Sequence, residues 1–142
     1  MKHEFEQKVY YSDTDAYGVV WHGSYLRWLE MGRIELCECM GLNLMDLCEQ
    51  HITLPVVNLN VRYKASAKLN NELVIQTSIQ KFSSIAVTFE QKICDKHTGK
   101  TFIEALIDVV AVDDNGKLYR KMPQVLIESF EKVMKEEVNA VK

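Results

Sequence analysis

The sequence has few of the features that mark specialised classes of protein. Its 142 residues include two prolines and six glycines, and no repeat or low-complexity tract suggests a linker between domains. No apolar run approaches the ~20 residues of a membrane-spanning helix, and residues 1–6 lack the apolar core of a secretion signal. The 17 lysines and arginines nearly balance the 20 acidic residues, which disfavours a nucleic-acid or polybasic membrane surface. We expect one cytoplasmic domain over residues 1–142, with no nucleic-acid partner and no membrane span.

Cysteines are also few, and their spacing does not suggest a metal centre. None of Cys37, Cys39, Cys48 and Cys94 forms a C-x-x-C pair, and the chain is too long for a small disulfide scaffold. On a helix, Cys37 and Cys39 would point about 200° apart, so one ion could not easily bind both. We predict reduced, partly buried thiols and no metal.

A long central helix is predicted over about residues 22–40. Apolar residues from Tyr25 to Met40 recur at helical spacing, and Gly41 follows as a natural stop. Further apolar residues lie on the opposite side, so the helix should be enclosed on more than one side. A glycine inside a helix stabilises the helix by about 1 kcal/mol less than alanine does. The close approach of another backbone would explain why Gly32 is nevertheless present.

Strand patterns dominate most of the remaining sequence. The predicted strands are residues 4–11, 57–65, 73–79, 85–93, 102–112 and 117–121. Residues 57–65 alternate strictly and predict one buried face, whereas 102–112 are almost continuously apolar, as in a strand covered on both faces. Pro123 suits the first turn of a terminal helix that ends near Ala140. Because the later connections are too short for parallel crossovers, we predict an α+β fold, with an antiparallel sheet curled around one helix.

The polar stretch before the central helix is the candidate site for chemistry. Residues 10–25 form a strand end, a glycine-containing loop and a first helical turn, which brings a carboxylate close to a helix N-terminus. Free N–H groups there favour developing negative charge, such as the oxyanion of an attacked carbonyl. A nearby aspartate could attack that carbonyl or take a proton from water. Asp13 and Asp15 are the candidates, although either could instead be a turn or cap residue.

The run Tyr11-Ser12-Asp13-Thr14-Asp15-Ala16-Tyr17-Gly18-Val19-Val20-Trp21-His22-Gly23-Ser24-Tyr25 closely resembles a known family signature. It is similar to that of hotdog-fold acyl-CoA thioesterases of the 4-hydroxybenzoyl-CoA thioesterase type, especially the branch that includes the Tol-Pal-associated thioesterases. The resemblance continues through residues 57–73 and ends around Pro123. Departures include Ser66, where relatives often have proline, and Ser83-Ser84, where some relatives have basic or glycine residues that contact coenzyme A phosphates.

The resemblance implies a hydrolase that cleaves a short-chain, medium-chain or aromatic acyl-CoA to free acid and coenzyme A. The family's catalytic aspartate maps onto Asp15, which would be nucleophile or general base, and backbone N–H groups near His22 and Gly23 would hold the thioester oxygen. His22 could orient water or the carbonyl, or merely close the first helical turn. Glu30 is a second candidate carboxylate, because other hotdog thioesterases place theirs on the central helix; otherwise it is a surface or interface charge. The candidate substrate-binding residues are Tyr17, Gly18, Val19, Val20, Trp21, Gly23 and Tyr63.

The resemblance implies no cofactor, because coenzyme A is part of the substrate, and it implies a homodimer or homotetramer with active sites shared between chains. Independently, the predicted strands 85–93 and 102–112 supply more apolar face than two helices can cover, and an open sheet edge can pair with a second copy. Two other functions remain open. A hotdog hydratase or dehydratase would change the acyl chain without releasing a thiol, and a non-catalytic acyl-CoA-binding module would not need Asp15.

Overall fold

The computed structural model describes residues 1–141, and the side chains of residues 1–136. The helices and strands of the described chain are β1 Lys2–Lys8, α1 His22–Cys39, α2 Leu44–Glu49, β2 Val56–Tyr63, β3 Glu72–Phe82, β4 Ala86–Asp95, β5 Thr101–Val110 and α3 Gln124–Val141. The strands form one antiparallel sheet in the order β1-β3-β4-β5-β2. This architecture confirms the predicted α+β fold, including the terminal helix after Pro123.

The core lies between α1 and one face of the sheet. Ile75, Ile93 and Ile103 stand side by side on β3, β4 and β5 and are fully buried. The α1 residues Trp28 and Leu29 are equally buried. Full burial of a large apolar side chain stabilises the fold by roughly 1.5–3 kcal/mol, so this stripe fixes the position of α1 on the sheet. The predicted central helix is therefore confirmed.

Gly32 allows α1 to approach the sheet closely. A Cβ atom on Gly32 would lie 2.5 Å from Thr77 Oγ1 and 3.1 Å from Gln91 Nε2. The expected close contact is therefore present, but its partners are two polar side chains of the sheet, and the expectation of another backbone was wrong. These side chains occupy the space because Gln91 Nε2 donates hydrogen bonds to Leu29 O and Thr77 Oγ1, both at 2.8 Å.

Strand β2 is the main departure from the sequence prediction. The expected buried face is largely exposed: Val57, Leu59 and Tyr63 are 59%, 45% and 50% exposed. The reason is that β2 is an edge strand. Its partners Ile103 and Ile107 on β5 are buried, but the core does not extend far enough to cover β2 itself. Alternation identified an apolar face but could not identify what covers it.

Residues 117–121 do not form the predicted strand. They contribute a single bridge, between Val112 and Leu118. The Asp113 carboxylate accepts the N–H groups of Asn115 and Lys117 at 2.9 Å, which closes a tight turn. The chain then leaves the sheet, and Met122 N–H donates to Ser84 O at 2.6 Å. The turn was therefore predicted correctly, whereas the strand after it was not.

The first strand is shorter than predicted, and this matters for the site. It ends at Lys8 instead of residue 11, because Tyr11–Asp13 form a 3-10 turn. The connection from this turn to the start of α1 carries the residues singled out above. One short helix, α2, was not predicted; the side chain of Asn43 caps it by accepting the N–H groups of Met45 and Asp46.

Candidate active site

Asp13 anchors the loop that precedes α1. Its residue is only 4% exposed, and its carboxylate accepts hydrogen bonds from Tyr10 N–H and Arg27 Nη2, each at 2.9 Å. Its backbone carbonyl accepts a further 2.9 Å bond from Trp21 N–H and a 3.1 Å bond from Ser24 Oγ. A carboxylate used in this way is a structural cap, which was one of the two alternatives for Asp13.

Asp15 stands on the turn that this anchor supports. Its N–H donates to Val19 O at 2.9 Å, and Gly18 N–H donates back to Asp15 O at 3.0 Å. Gly18 has φ +78°, a left-handed conformation that glycine adopts without strain. The half-buried carboxylate accepts Tyr17 N–H at Oδ1, at 2.8 Å, while Oδ2 has no partner within the described side chains. One carboxylate oxygen is thus available for a reactant.

The N-terminus of α1 presents unused donors beside this turn. None of the described side chains caps the helix, and its first turn contains no acidic residue. Ser24 N–H bonds to Trp21 O, whereas the N–H groups of His22 and Gly23 find no acceptor in residues 1–141. Open N–H groups at the positive end of a helix dipole stabilise negative charge. The arrangement is the one expected for an oxyanion site.

Two tyrosines fix this helix end to the sheet. Tyr63 Oη donates to His22 O at 3.1 Å, and its ring makes an edge contact with Tyr25, with centroids 5.9 Å apart. Tyr25 Oη accepts Ala67 N–H at 2.9 Å. Burial raises the pKa of the Tyr25 phenol, so the hydroxyl stays protonated at neutral pH. The edge strand β2 is therefore tied directly to the candidate oxyanion site.

The remaining predicted residues divide into three groups. Tyr17 is 91% exposed, and Trp21 and Gly18 are also exposed on the same loop. Val20 packs in the core, whereas Val19 is half-buried and bridges to Lys68. Glu30 is exposed and lies on α1 about 12 Å along the axis from His22, given 1.5 Å per residue. The structure therefore does not bring Glu30 to the Asp15 turn.

The structure also contains a cavity that the sequence did not predict. A cavity of about 270 Å³ lies between the second half of α1 and the start of β2, and it is mostly apolar. It is lined by Glu30, Arg33, Ile34, Cys37, Leu44, Leu54, Pro55, Val56, Phe89 and Val109. Arg33 Nη1 donates to the buried Gln91 at 3.0 Å. Burial lowers the pKa of Arg33 and raises that of Cys37 to about 11.

A signal for the polar contact beside this cavity was present in the sequence. Thr77 and Gln91 are polar residues at strand positions whose neighbours two residues away are apolar, so alternation assigns them to the buried face. They lie under α1, where they bond to each other.

Within the described residues, no cluster of His, Cys, Asp or Glu could hold a metal ion, and no helix is long and apolar enough to cross a membrane.

Comparison with known proteins identifies the family. Residues 9–130 match the thioesterase-like superfamily. The Synechocystis protein sll0410 is 36% identical over 84% of this chain and 73% of its own length. The acyl-CoA thioester hydrolase YbgC of Escherichia coli O157:H7 is 32% identical over 87% of this chain and 91% of its own. The DHNA-CoA thioesterase structure from Staphylococcus aureus, at 24% identity, covers 98% of this chain and 95% of its own, with a TM-score of 0.89.

These matches confirm the resemblance read from the loop motif and the hotdog fold that it implied. The family match includes both the Asp15 turn and the strands β2 to β5. The chain belongs to the thioesterase-like superfamily.

Proposed function

We propose that this protein hydrolyses the thioester of an acyl-CoA to a free carboxylic acid and coenzyme A. The observation that carries the proposal is the half-buried Asp15, whose Oδ2 is free among the described side chains, next to the open N–H groups of His22 and Gly23. Its relative YbgC from Escherichia coli is named an acyl-CoA thioester hydrolase, which supports the same activity.

The chemistry follows from the charge that develops during attack on a thioester. The carbonyl oxygen would accept the N–H groups of His22 and Gly23 and become an oxyanion in the transition state. Asp15 would either attack the carbonyl carbon, expelling the coenzyme A thiolate, or take a proton from the water that attacks it. In the first route, water then hydrolyses the mixed anhydride. Loss of one such oxyanion donor typically lowers turnover by about 10²–10³-fold, so the donors contribute as much as the base.

The neighbouring residues would hold the substrate in place. Tyr17, Trp21 and Tyr63 present exposed aromatic surface around the turn, and Gly18 leaves the backbone accessible, whereas Gly23 makes room for the Trp21 ring. Aromatic side chains with one polar end suit a ligand that is part acyl chain and part polar pantetheine. His22, also exposed, would orient water or the carbonyl.

We further propose a homodimer, or a tetramer built from such dimers. The exposed apolar residues of β2 lie on an unpaired edge, which an antiparallel β2 of a second copy would extend about a twofold axis. The two ends of β2 differ: Tyr63 contacts the start of α1, whereas Val56 lines the 270 Å³ cavity. Antiparallel pairing would place the Val56 end of one chain near the Tyr63 end of the other.

This pairing would explain how the acyl group reaches a pocket. Within one chain, Arg33 at the cavity lies about 16 Å along α1 from His22, which is too far for a short acyl group held at the Asp15 turn. The partner's cavity would lie beside that turn instead. A site assembled in this way uses Asp15 of one chain and the cavity of the other.

The direct test is incubation of the purified protein with short-chain, medium-chain and aromatic acyl-CoAs, followed by titration of free thiol. Stoichiometric thiol and acid, with Asp15→Asn inactive, are the expected result. A modified acyl chain without thiol release would instead indicate a hydratase. Tight binding with neither product would indicate a binding module, and either outcome overturns the proposed function.

A further inference from the structure

Arg27 makes an unequal ion pair with Asp13. Its side chain is 63% exposed, whereas that of Asp13 is 5% exposed, and Nη2 of Arg27 lies 2.9 Å from Oδ1 of Asp13. The arginine thus closes the solvent side of a buried carboxylate. An exposed pair usually contributes little to stability, but a buried carboxylate that loses its partner is strongly destabilised. Loss of Arg27 would therefore destabilise the buried Asp13 carboxylate, whereas the exposed position of Arg27 itself would be little affected.

Asp13 and Trp21 form the stem of the loop that carries Asp15. Trp21 N–H bonds to Asp13 O at 2.9 Å, and a bridge between Thr14 and Val20 follows directly. Asp15 lies in the loop two residues after Asp13, and the open N–H of His22 lies one residue after Trp21, at the start of α1. A shift of Asp13 would therefore change the position of the carboxylate relative to the oxyanion donors.

The position of Arg27 on α1 allows it to prevent such a shift. It lies on α1, the same helix whose N-terminus supplies the donors, and it follows Ser24, which also bonds to Asp13 O. The side chain of Asp13 is thus joined to the second turn of α1 and its backbone to the first. The helix that presents the donors also fixes the loop that presents the carboxylate.

We propose that Arg27 is a positioning residue for thioester hydrolysis, which acts by fixing Asp13 so that Asp15 faces the N–H groups of His22 and Gly23. This inference rests on the proposed function. A misplacement of about 1 Å at a reacting group can lower turnover by as much as 10²-fold. We expect Arg27→Gln to lower kcat by about 10-fold or more with KM nearly unchanged, because the substrate would bind while the geometry of attack is lost.

The test compares Arg27→Gln, Arg27→Lys and a control, Arg120→Gln, by steady-state kinetics and thermal melting. Arg120 is exposed and bonds to no part of the loop within the described residues. Arg120→Gln therefore removes one positive charge, as Arg27→Gln does, without affecting the contact between Arg27 and Asp13. Arg27→Lys keeps a cation within reach of Asp13 and should recover part of kcat. If Arg27→Gln does not fold, Arg27→Lys carries the comparison.

A double variant separates positioning from general destabilisation. In an Asp15→Asn background, measured by single turnover with excess enzyme, Arg27→Gln should have little further effect on the rate, while its effect on the melting temperature should persist. An equal loss of rate in both backgrounds would assign Arg27 a merely structural role, and a raised KM at unchanged kcat would assign it to substrate binding; either would overturn the inference. Unchanged kinetics of Arg27→Gln would do so as well. Failure of every acyl-CoA to release thiol with the unmodified protein would instead refute the proposed function itself.

Discussion

The indole ring of Trp21 lies directly against the backbone of Gly23. A Cβ atom on Gly23 would clash with Cζ3 of that ring, and the centroids of the Trp21 and His22 rings are 4.9 Å apart. The Trp21 side chain therefore packs on the first turn of α1, next to the N–H groups of His22 and Gly23 that have no acceptor in residues 1–141. The glycine here leaves room for the ring and is not needed for its backbone conformation, which is helical.

Gly23→Ala should displace the Trp21 ring and lower turnover by about 10-fold, on the scale of a small misplacement at a reacting centre. Tryptophan fluorescence should change at the same time, because the Trp21 ring moves. The other tryptophan, Trp28, is fully buried and should contribute a constant signal, so the change reports on Trp21. The matched variant is Gly23→Ala with Trp21→Ala, where the clash is absent. Alanine should then stabilise the helix by up to about 1 kcal/mol relative to Trp21→Ala alone. Fluorescence identical to that of the unmodified protein would contradict the contact.

Asp15→Asn should leave the fold intact and lower turnover at least about 100-fold, the usual scale for a positioned acid–base group. The amide can still accept Tyr17 N–H through its oxygen, so the turn should keep its shape. Thiol-release kinetics and circular dichroism measure the two effects. Glu38→Gln is the matched control, since it neutralises one exposed carboxylate of α1 that does not line the cavity. If Asp15→Asn were nearly as active as the unmodified protein and Glu30→Gln were not, Glu30 would be the catalyst.

His22→Ala should reduce turnover less than Asp15→Asn does. The groups expected to bind the oxyanion are backbone N–H groups, which survive removal of the side chain, and Tyr63 bonds to the backbone carbonyl of His22. Comparing kcat for the two variants on one substrate is sufficient. A greater loss at His22, with an unchanged circular dichroism spectrum, would make its imidazole the principal catalytic group.

Sequence alone predicted most of the fold because the relevant patterns are local. Apolar spacing located α1 and the strands from β2 to β5, and the loop motif located the Asp15 turn. The patterns failed where the outcome depends on a neighbour. The alternation of Val57, Leu59 and Tyr63 did not reveal that β2 lies at an edge, and the turn at Asp113 did not ensure a strand after it.

The site was predicted less completely than the fold, for a related reason. The D-x-D pair was visible, but the anchoring role of Asp13 depends on Arg27, which lies 14 positions further along the chain. The polar contact of Arg33 with Gln91 joins residues 58 positions apart. Single-sequence periodicity carries no information about such pairs.

The four cysteines should differ sharply in reactivity. Cys37 is buried and its pKa is raised to about 11, so at pH 8 it remains a protonated thiol and becomes a thiolate only as the pH approaches that value. Cys39 and Cys48 are exposed free thiols, contrary to the partial burial expected for them. Iodoacetamide at pH 8 should label Cys39 and Cys48 first and Cys37 last, as peptide mass spectrometry would show. Early labelling of Cys37 in the folded protein would contradict its burial.

Leu59→Arg should dissociate the proposed dimer and abolish most of the thiol-release activity. Leu59 is 45% exposed on β2, directly opposite the buried Ile107, so its side chain continues the apolar face beyond the edge of one chain. Inserting a charge there requires burying an unpaired cation in any interface that covers β2, while the isolated chain can keep it in water. Light scattering should shift from a multiple of the 16.4 kDa chain mass toward that mass. Leu118→Arg is the control, because Leu118 is similarly exposed, at 43%, but lies outside β2. A fully active unmodified protein at the mass of one chain would contradict both the dimer and the shared site.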